Sequence, residues 1–199
     1  MKHKISINLS MFAATALLAG AVAAAPLPLR AQSGMHSTPS AAATTPAQVV
    51  NQLLGTVEHD FVPLAEAMPA DKYDFAPTNG DFKGVRTFAS QVKHVAHANF
   101  YMFGQASGLK PSHMPDWNNL KTKDQLVAAL KQSFVFGHRA INTLTAQNAL
   151  ETIKPVDGIN TRAGVMVFAV VHMNDHYGQM VEYLRMNSII PPASRHSGK

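Results

Sequence analysis

Between residues 46 and 186, apolar side chains recur at steps of three and four in four separate stretches, each ended by proline, glycine or a polar run. In the first stretch, Val49, Val50, Leu53, Leu54, Val57, Phe61, Leu64 and Ala65 share one face of a helix. The pattern predicts a helix from Pro46 to Met68. Thr45 is a candidate N-cap, and Pro46 suits the first turn, where a missing N–H costs nothing. Pro63 falls inside this stretch and predicts a kink or an end to its regular part. Pro69 to Gly84, carrying Pro69, Pro77, Gly80 and Gly84, reads as a loop.

The second helix is predicted over Val85 to Ala106, with Val85, Phe88, Val92, Val95, Phe100 and Phe103 as its stripe and Gly108 and Pro111 closing it. A polar loop from Leu109 to Lys121 contains the only tryptophan, Trp117. Thr122-Lys123-Asp124-Gln125 has the form of a capping box and opens a third helix through Leu126, Leu130, Phe134, Ile141 and Leu144. After a loop around Pro155 to Gly158, a fourth helix is predicted from Ala163 to Met186, ahead of Pro191-Pro192. Its apolar positions are Val165, Phe168, Ala169, Val171, Met180 and Leu184. Four helices of about twenty residues, with no strand-like alternation of any length, predict an all-α four-helix bundle over residues 46–194. The connections are long enough to cross the bundle as well as to join neighbours, so the pattern leaves the topology open.

Composition narrows the chemistry. The chain is 46% hydrophobic and 15% charged, a globular balance. It has no cysteine, which excludes disulfides, thiolate metal sites and a cysteine nucleophile; any metal must be held by nitrogen and oxygen. Lys2 and Lys4 precede an apolar run from Met11 to Ala25 whose end is crowded with small residues, the pattern of an export signal over residues 1–31. Ala23-Ala24-Ala25 would suit a signal peptidase but for Pro26, so cleavage is expected after Ala31. A membrane anchor is the alternative, and the run is shorter than the ~20 residues that a span needs. Residues 32–45, rich in Ser, Thr, Ala and Pro, read as a linker, and 195–199 as a tail. The formal charge of +5 falls to +2 for a chain beginning at Gln32, because Lys2, Lys4 and Arg30 leave and no acid does. Nothing then points to nucleic acid. The expected location is the periplasm or the exterior, with no stable membrane insertion once the signal is gone.

The fourth helix carries the candidate chemistry. His172 and His176, four residues apart, lie one turn above each other on or beside the apolar stripe, where their imidazoles can converge on one metal ion. Among ten histidines such a pair arises easily by chance, so a third ligand is required. His94 and His97 on the second helix, His59 on the first and His138 on the third are all candidates, although His138, between Gly137 and Arg139, is expected to face solvent. Glu58 and Asp60 flank His59 as carboxylates able to ligate or to support a ligand, and Glu58 is the better candidate base. Asp175 adjoins His176, but adjacent helical positions diverge by about 100°, which turns it elsewhere. Tyr101, seven residues after His94, either lines the same pocket or packs as an ordinary core residue.

Leu64-Ala65-Glu66-Ala67-Met68-Pro69-Ala70-Asp71-Lys72-Tyr73-Asp74-Phe75-Ala76-Pro77-Thr78, followed by Val85-Arg86-Thr87-Phe88-Ala89-Ser90-Gln91-Val92-Lys93-His94-Val95-Ala96-His97-Ala98-Asn99, resembles the DinB/YfiT-like family. So does the ending His172-Met173-Asn174-Asp175-His176-Tyr177-Gly178-Gln179 with Pro191-Pro192. The resemblance covers about Val49 to Ser194. It implies a four-helix bundle, often dimeric, with a divalent metal held by His94, His172 and His176. Zinc is the first expectation, with nickel, iron and manganese compatible with the same imidazoles. Tyr177 stands where the family often has a basic residue, so no role is carried over to it. The implied activity is that of a metal-dependent hydrolase or thiol transferase acting on a small molecule whose identity the residues do not give. The alternative is a non-catalytic binding or stress-associated protein that keeps the fold.

Overall fold

A computed structural model of the chain describes residues 44–195, which fall within one compact unit. The expected export signal, nearly all of the expected linker and most of the tail lie outside the described residues. Four α-helices dominate: α1 (Pro46–Ala67), α2 (Phe88–Ser107), α3 (Lys123–Ile141) and α4 (Arg162–Met186). None of the described helices is long and apolar enough to cross a membrane.

Local chemistry sets the helix ends. The hydroxyl of Thr45 accepts from the N–H of Gln48, whose side chain accepts in turn from the Thr45 N–H; Thr122 and Gln125 repeat the arrangement at α3. These reciprocal bonds satisfy two orphan donors per helix. Gly108 ends α2 in the left-handed region at φ 75°, where a Cβ would be strained. Pro63 does not end α1, which continues to Ala67. Helix α2 begins at Phe88, three residues later than its apolar pattern suggests, because Thr87 is the cap. The preceding loop completes this start. Its Phe75 and Tyr73 carbonyls accept from the N–H groups of Phe88 and Ala89, and the Tyr73 hydroxyl donates to the Ala65 carbonyl. The Tyr-Asp-Phe segment thus ties the end of α1 to the start of α2.

Helix α2 packs against α3 and α4, and α1 packs against the same two. The order around the bundle is therefore α1, α3, α2, α4, with the connections after α1 and α3 crossing diagonally. Phe61, Phe88, Phe103 and Phe134 are among the fully buried core side chains, each contributing about 1.5–3 kcal/mol relative to exposure. Gly137 permits close packing, since a Cβ there would lie 2.9 Å from the Phe103 ring and 3.1 Å from Leu54.

Two expectations change. A two-stranded antiparallel hairpin, β1 (Thr152–Val156) and β2 (Ile159–Thr161), occupies the connection into α4. Asp157 and Gly158 both have positive φ at its turn, and the Asp-Gly pair is the sequence signal for such a hairpin. The buried stripe of α4 also runs differently, through Val165, Met166, Ala169, Val170, Met173, Met180, Tyr183 and Leu184, while Val171 is 57% exposed.

Candidate metal centre

Contacts between α2 and α4 fall in an antiparallel sequence. The Tyr183 hydroxyl donates to the Arg86 carbonyl just before α2, Gln91 meets Gln179, His94 meets His172, and Arg162 reaches the Ala106 and Ser107 carbonyls at the far end. This register brings His94 to the level of the α4 pair. The stripe of α4 carries His176 inward between Met173 and Met180, and His172 sits one turn before it, half-buried.

Three imidazoles converge there. His172 Nε2 lies 3.0 Å from His94 Nε2 and 3.1 Å from His176 Nε2. The cluster is the only group of three or more potential ligands among the described residues, with its donor atoms within 4.8 Å of one another. The neutral rings alone cannot satisfy this arrangement. A neutral imidazole nitrogen offers either one N–H or one lone pair, so His172 Nε2 can complete only one of its two contacts as a hydrogen bond. One divalent ion would take all three lone pairs. Zinc–imidazole bonds of about 2.0–2.1 Å separate tetrahedral ligand nitrogens by roughly 3.3 Å, close to the observed spacing. The residues fit the metal that the family resemblance implies.

Electrostatics favour the same state. Burial, aided by Arg86, lowers the His94 pKa to about 4. Burial and the two neighbouring imidazoles lower His176 to about 4 as well. His172 is lowered by burial against the opposing pull of Asp175 and Asp157. All three rings are therefore neutral near pH 7 and available as ligands without losing a proton. The outer ring nitrogens differ from the usual pattern. His172 Nδ1 and His176 Nδ1 are buried with no protein partner among the described residues, whereas ligating histidines commonly donate that N–H to an oxygen.

The other sequence candidates lie elsewhere. His97 is exposed and meets the Trp117 ring edge-on at 5.0 Å. His59 is exposed beside Asp60. His138, expected to face solvent, is instead half-buried between α1 and α3, with Nε2 2.9 Å from Glu58 Oε2 and Nδ1 2.7 Å from Asn51 Oδ1. Glu58 is thereby engaged by His138, which removes it as a base for the cluster. Asp175 accepts from Gln179 Nε2 at 2.9 Å. Tyr101 is exposed, and Tyr177 packs on Phe61 with ring centroids 6.2 Å apart.

Sequence reasoning gave no separate role to Arg86, Gln91 and Gln179. Gln91 and Gln179 each lie one turn from a histidine of the cluster, and their side chains are joined by a 2.8 Å hydrogen bond. Together with Arg86 they line a cavity of about 710 Å³. The only available signal was the three-residue step from Gln91 to His94 and from His176 to Gln179, which identifies shared helix faces and nothing more.

A family model of the DinB superfamily matches residues 53–180. Among solved structures, a protein from Exiguobacterium sibiricum assigned to the DinB family aligns with a TM-score of 0.55 and 20% identity, over 78% of this chain and 96% of that chain. At that identity the likeness concerns the fold. No curated protein matches the chain. With the matched segment running from within α1 to within α4 and enclosing all three histidines, the chain belongs to the DinB superfamily.

Proposed function

We propose that this is an exported DinB-type protein that holds one divalent metal ion on His94, His172 and His176 and acts as a metal-dependent hydrolase or thiol transferase on a small molecule. One observation carries the metal site: three neutral imidazoles face one point through Nε2 atoms 3.0 and 3.1 Å apart, without enough protons or lone pairs to satisfy one another. The export signal read over residues 1–31 carries the location. When bound, a divalent ion on three neutral ligands supplies Lewis acidity and keeps a coordination position for an exogenous oxygen or sulfur donor. The chain holds the three rings neutral by burial and fixes them across α2 and α4. The cavity lined by Gln91 and Gln179, one helical turn from the histidines, has room for a substrate, which favours an enzyme over a binding protein that merely keeps the fold.

The test is metal analysis of protein purified without chelators or a histidine tag, beside His172→Ala and His94→Ala. The expected result is about one metal per chain, lost from both variants with helical content retained. A wild-type protein that stays metal-free after reconstitution, or a His172→Ala variant with undiminished metal, would sink the reading. Secretion of the full-length chain and its failure after deletion of residues 1–31 test export.

A further inference from the structure

The cavity lined by Gln91 and Gln179, one helical turn from the histidines, has a defined polarity that the metal site does not require. Phe82, Val85 and Met186 give it apolar walls, and its volume of about 710 Å³ suits a small organic ligand. Two charged side chains line it, Arg86 and Glu182. Glu182 has a cationic neighbour in Arg185, 3.8 Å away on the next turn. Arg86 has no ion-pair partner among the described residues, and its charge reaches all three imidazoles. Arg86 is thus the one lining charge without an ion pair among the described residues.

A second observation fixes the hydrogen-bonding direction. Gln179 donates through Nε2 to the Asp175 carboxylate and turns Oε1 toward Gln91. Gln91 must then donate through its own Nε2. Its Oε1 is left as a buried acceptor with no protein donor, in a residue only 2% exposed that lines the cavity. A buried acceptor left without a donor is destabilising, and a donor on a ligand offsets that cost.

We infer that this cavity binds the substrate, a small organic carboxylate with an apolar body and an N–H or O–H donor, its anionic end held by Arg86 and its donor turned to Gln91, one helical turn from the imidazoles. The inference rests on the metal reading for the reaction that follows, but binding in the cavity does not. The competing groove, lined by Lys93, His94, His97 and Trp117, is half the size at about 350 Å³.

N-acetylglycine, N-acetylleucine and N-acetylphenylalanine combine these groups at graded size. Calorimetric titration of each acid and of its uncharged primary amide into the purified protein reads the site. Arg86→Ala, Gln91→Leu, Lys93→Ala and His172→Ala are titrated in parallel, with the metal content of every sample measured. The expected result is a dissociation constant below about 1 mM for at least one acid, weakened at least about tenfold in its amide and in Arg86→Ala. Gln91→Leu weakens binding of the acid but leaves its N-methylated analogue unchanged, while Lys93→Ala stays within about twofold. Retention of binding in a metal-free His172→Ala variant supports the cavity whether or not the metal reading stands. No binding of any acid to wild type overturns the inference. So does equal binding of acid and amide, or loss in Lys93→Ala but not in Arg86→Ala. Loss that follows the metal in His172→Ala and ignores Arg86→Ala assigns the anion to the metal and overturns it too.

Discussion

Two histidine sites occupy opposite seams of one bundle, and their ring nitrogens meet different atoms. Between α1 and α3, both nitrogens of His138 face oxygens, those of Glu58 and Asn51, and Asn51 in turn donates to Asn142 at 2.7 Å. Between α2 and α4, nitrogen faces nitrogen in two contacts, and two outer nitrogens face no protein partner among the described residues. The first arrangement sets each ring nitrogen against an oxygen acceptor, so a ring carrying two N–H groups satisfies both contacts with protein atoms. The second leaves His172 Nε2 with one contact that the rings alone do not satisfy, and the proposed cation would satisfy it. Burial does not separate the two sites, since His138, His94 and His172 are all half-buried; the identity of the partner atom does.

The largest expected effect breaks the comparison at its centre. Saturating zinc should stabilise the folded chain against thermal unfolding, by about 4 kcal/mol at a thousand times the dissociation constant, and chelation should reverse it. His172→Leu should abolish that response and His138→Leu should leave it intact. A zinc-induced shift that vanishes in His138→Leu and survives in His172→Leu would place the ligand site at the wrong seam.

Acid sharpens the same contrast in the metal-free protein. His94 and His176 titrate near 4 when folded and near the ordinary imidazole value of 6.5 when unfolded. Between those values the unfolded chain binds more protons, so stability rises with pH and is lost as pH falls from about 6.5 toward 4. The direction is that of a depressed base whose folded form resists protonation. Chemical denaturation at pH 7, 6 and 5 should show the loss, and His94→Leu should reduce the slope. A metal-free wild type with flat stability over that window would mean that burial does not hold these rings neutral.

Much of the bundle was legible because its signals are local. Thr45, Thr122-Gln125 and Gly108 act within one turn of where they stand, and the period of the apolar residues marked each helix. The hairpin was not read: it is short, and Asp157-Gly158 was taken as loop punctuation. The His172/His176 pair was likewise legible from spacing. Spacing could not choose between His94 and His97, because the choice depends on how α2 is rotated against α4. The family resemblance named His94, and the register of α2 against α4 places its ring beside the α4 pair while His97 is exposed. His138 was misjudged for a related reason, since Asn51 and Glu58 lie 87 and 80 residues before it. The Gln91–Gln179 bond spans 88 residues and left no trace in local pattern.

A smaller effect tests whether the two sites differ in what they do for the fold. In metal-free protein, His172→Leu removes a nitrogen with one contact too many and a buried unpartnered Nδ1. Replacing such a group by an apolar side chain of similar size is near neutral or stabilising. His138→Leu instead strands the half-buried Glu58 carboxylate and the Asn51 amide, and should cost about 1 kcal/mol. Urea denaturation of both variants in the presence of a chelator measures the two. Equal destabilisation would show that the cluster serves the fold as His138 does.

The smallest effect separates charge from hydrogen bonding at the α1–α3 seam. Glu58→Gln keeps an acceptor facing His138 Nε2 but removes the negative charge. Both side chains of the pair are 34% exposed, so water already screens much of their attraction. The substitution should therefore lower stability by less than about 0.5 kcal/mol, within the range of exposed ion pairs, and leave metal content unchanged. A loss of several-fold that amount would mean that the seam depends on an imidazolium–carboxylate pair. Loss of metal in Glu58→Gln would be more damaging, because it would return Glu58 to the metal site from which its bond to His138 removes it. Small stability loss with full metal content is the outcome that keeps the two seams distinct: one closed on oxygen, the other left open for a cation.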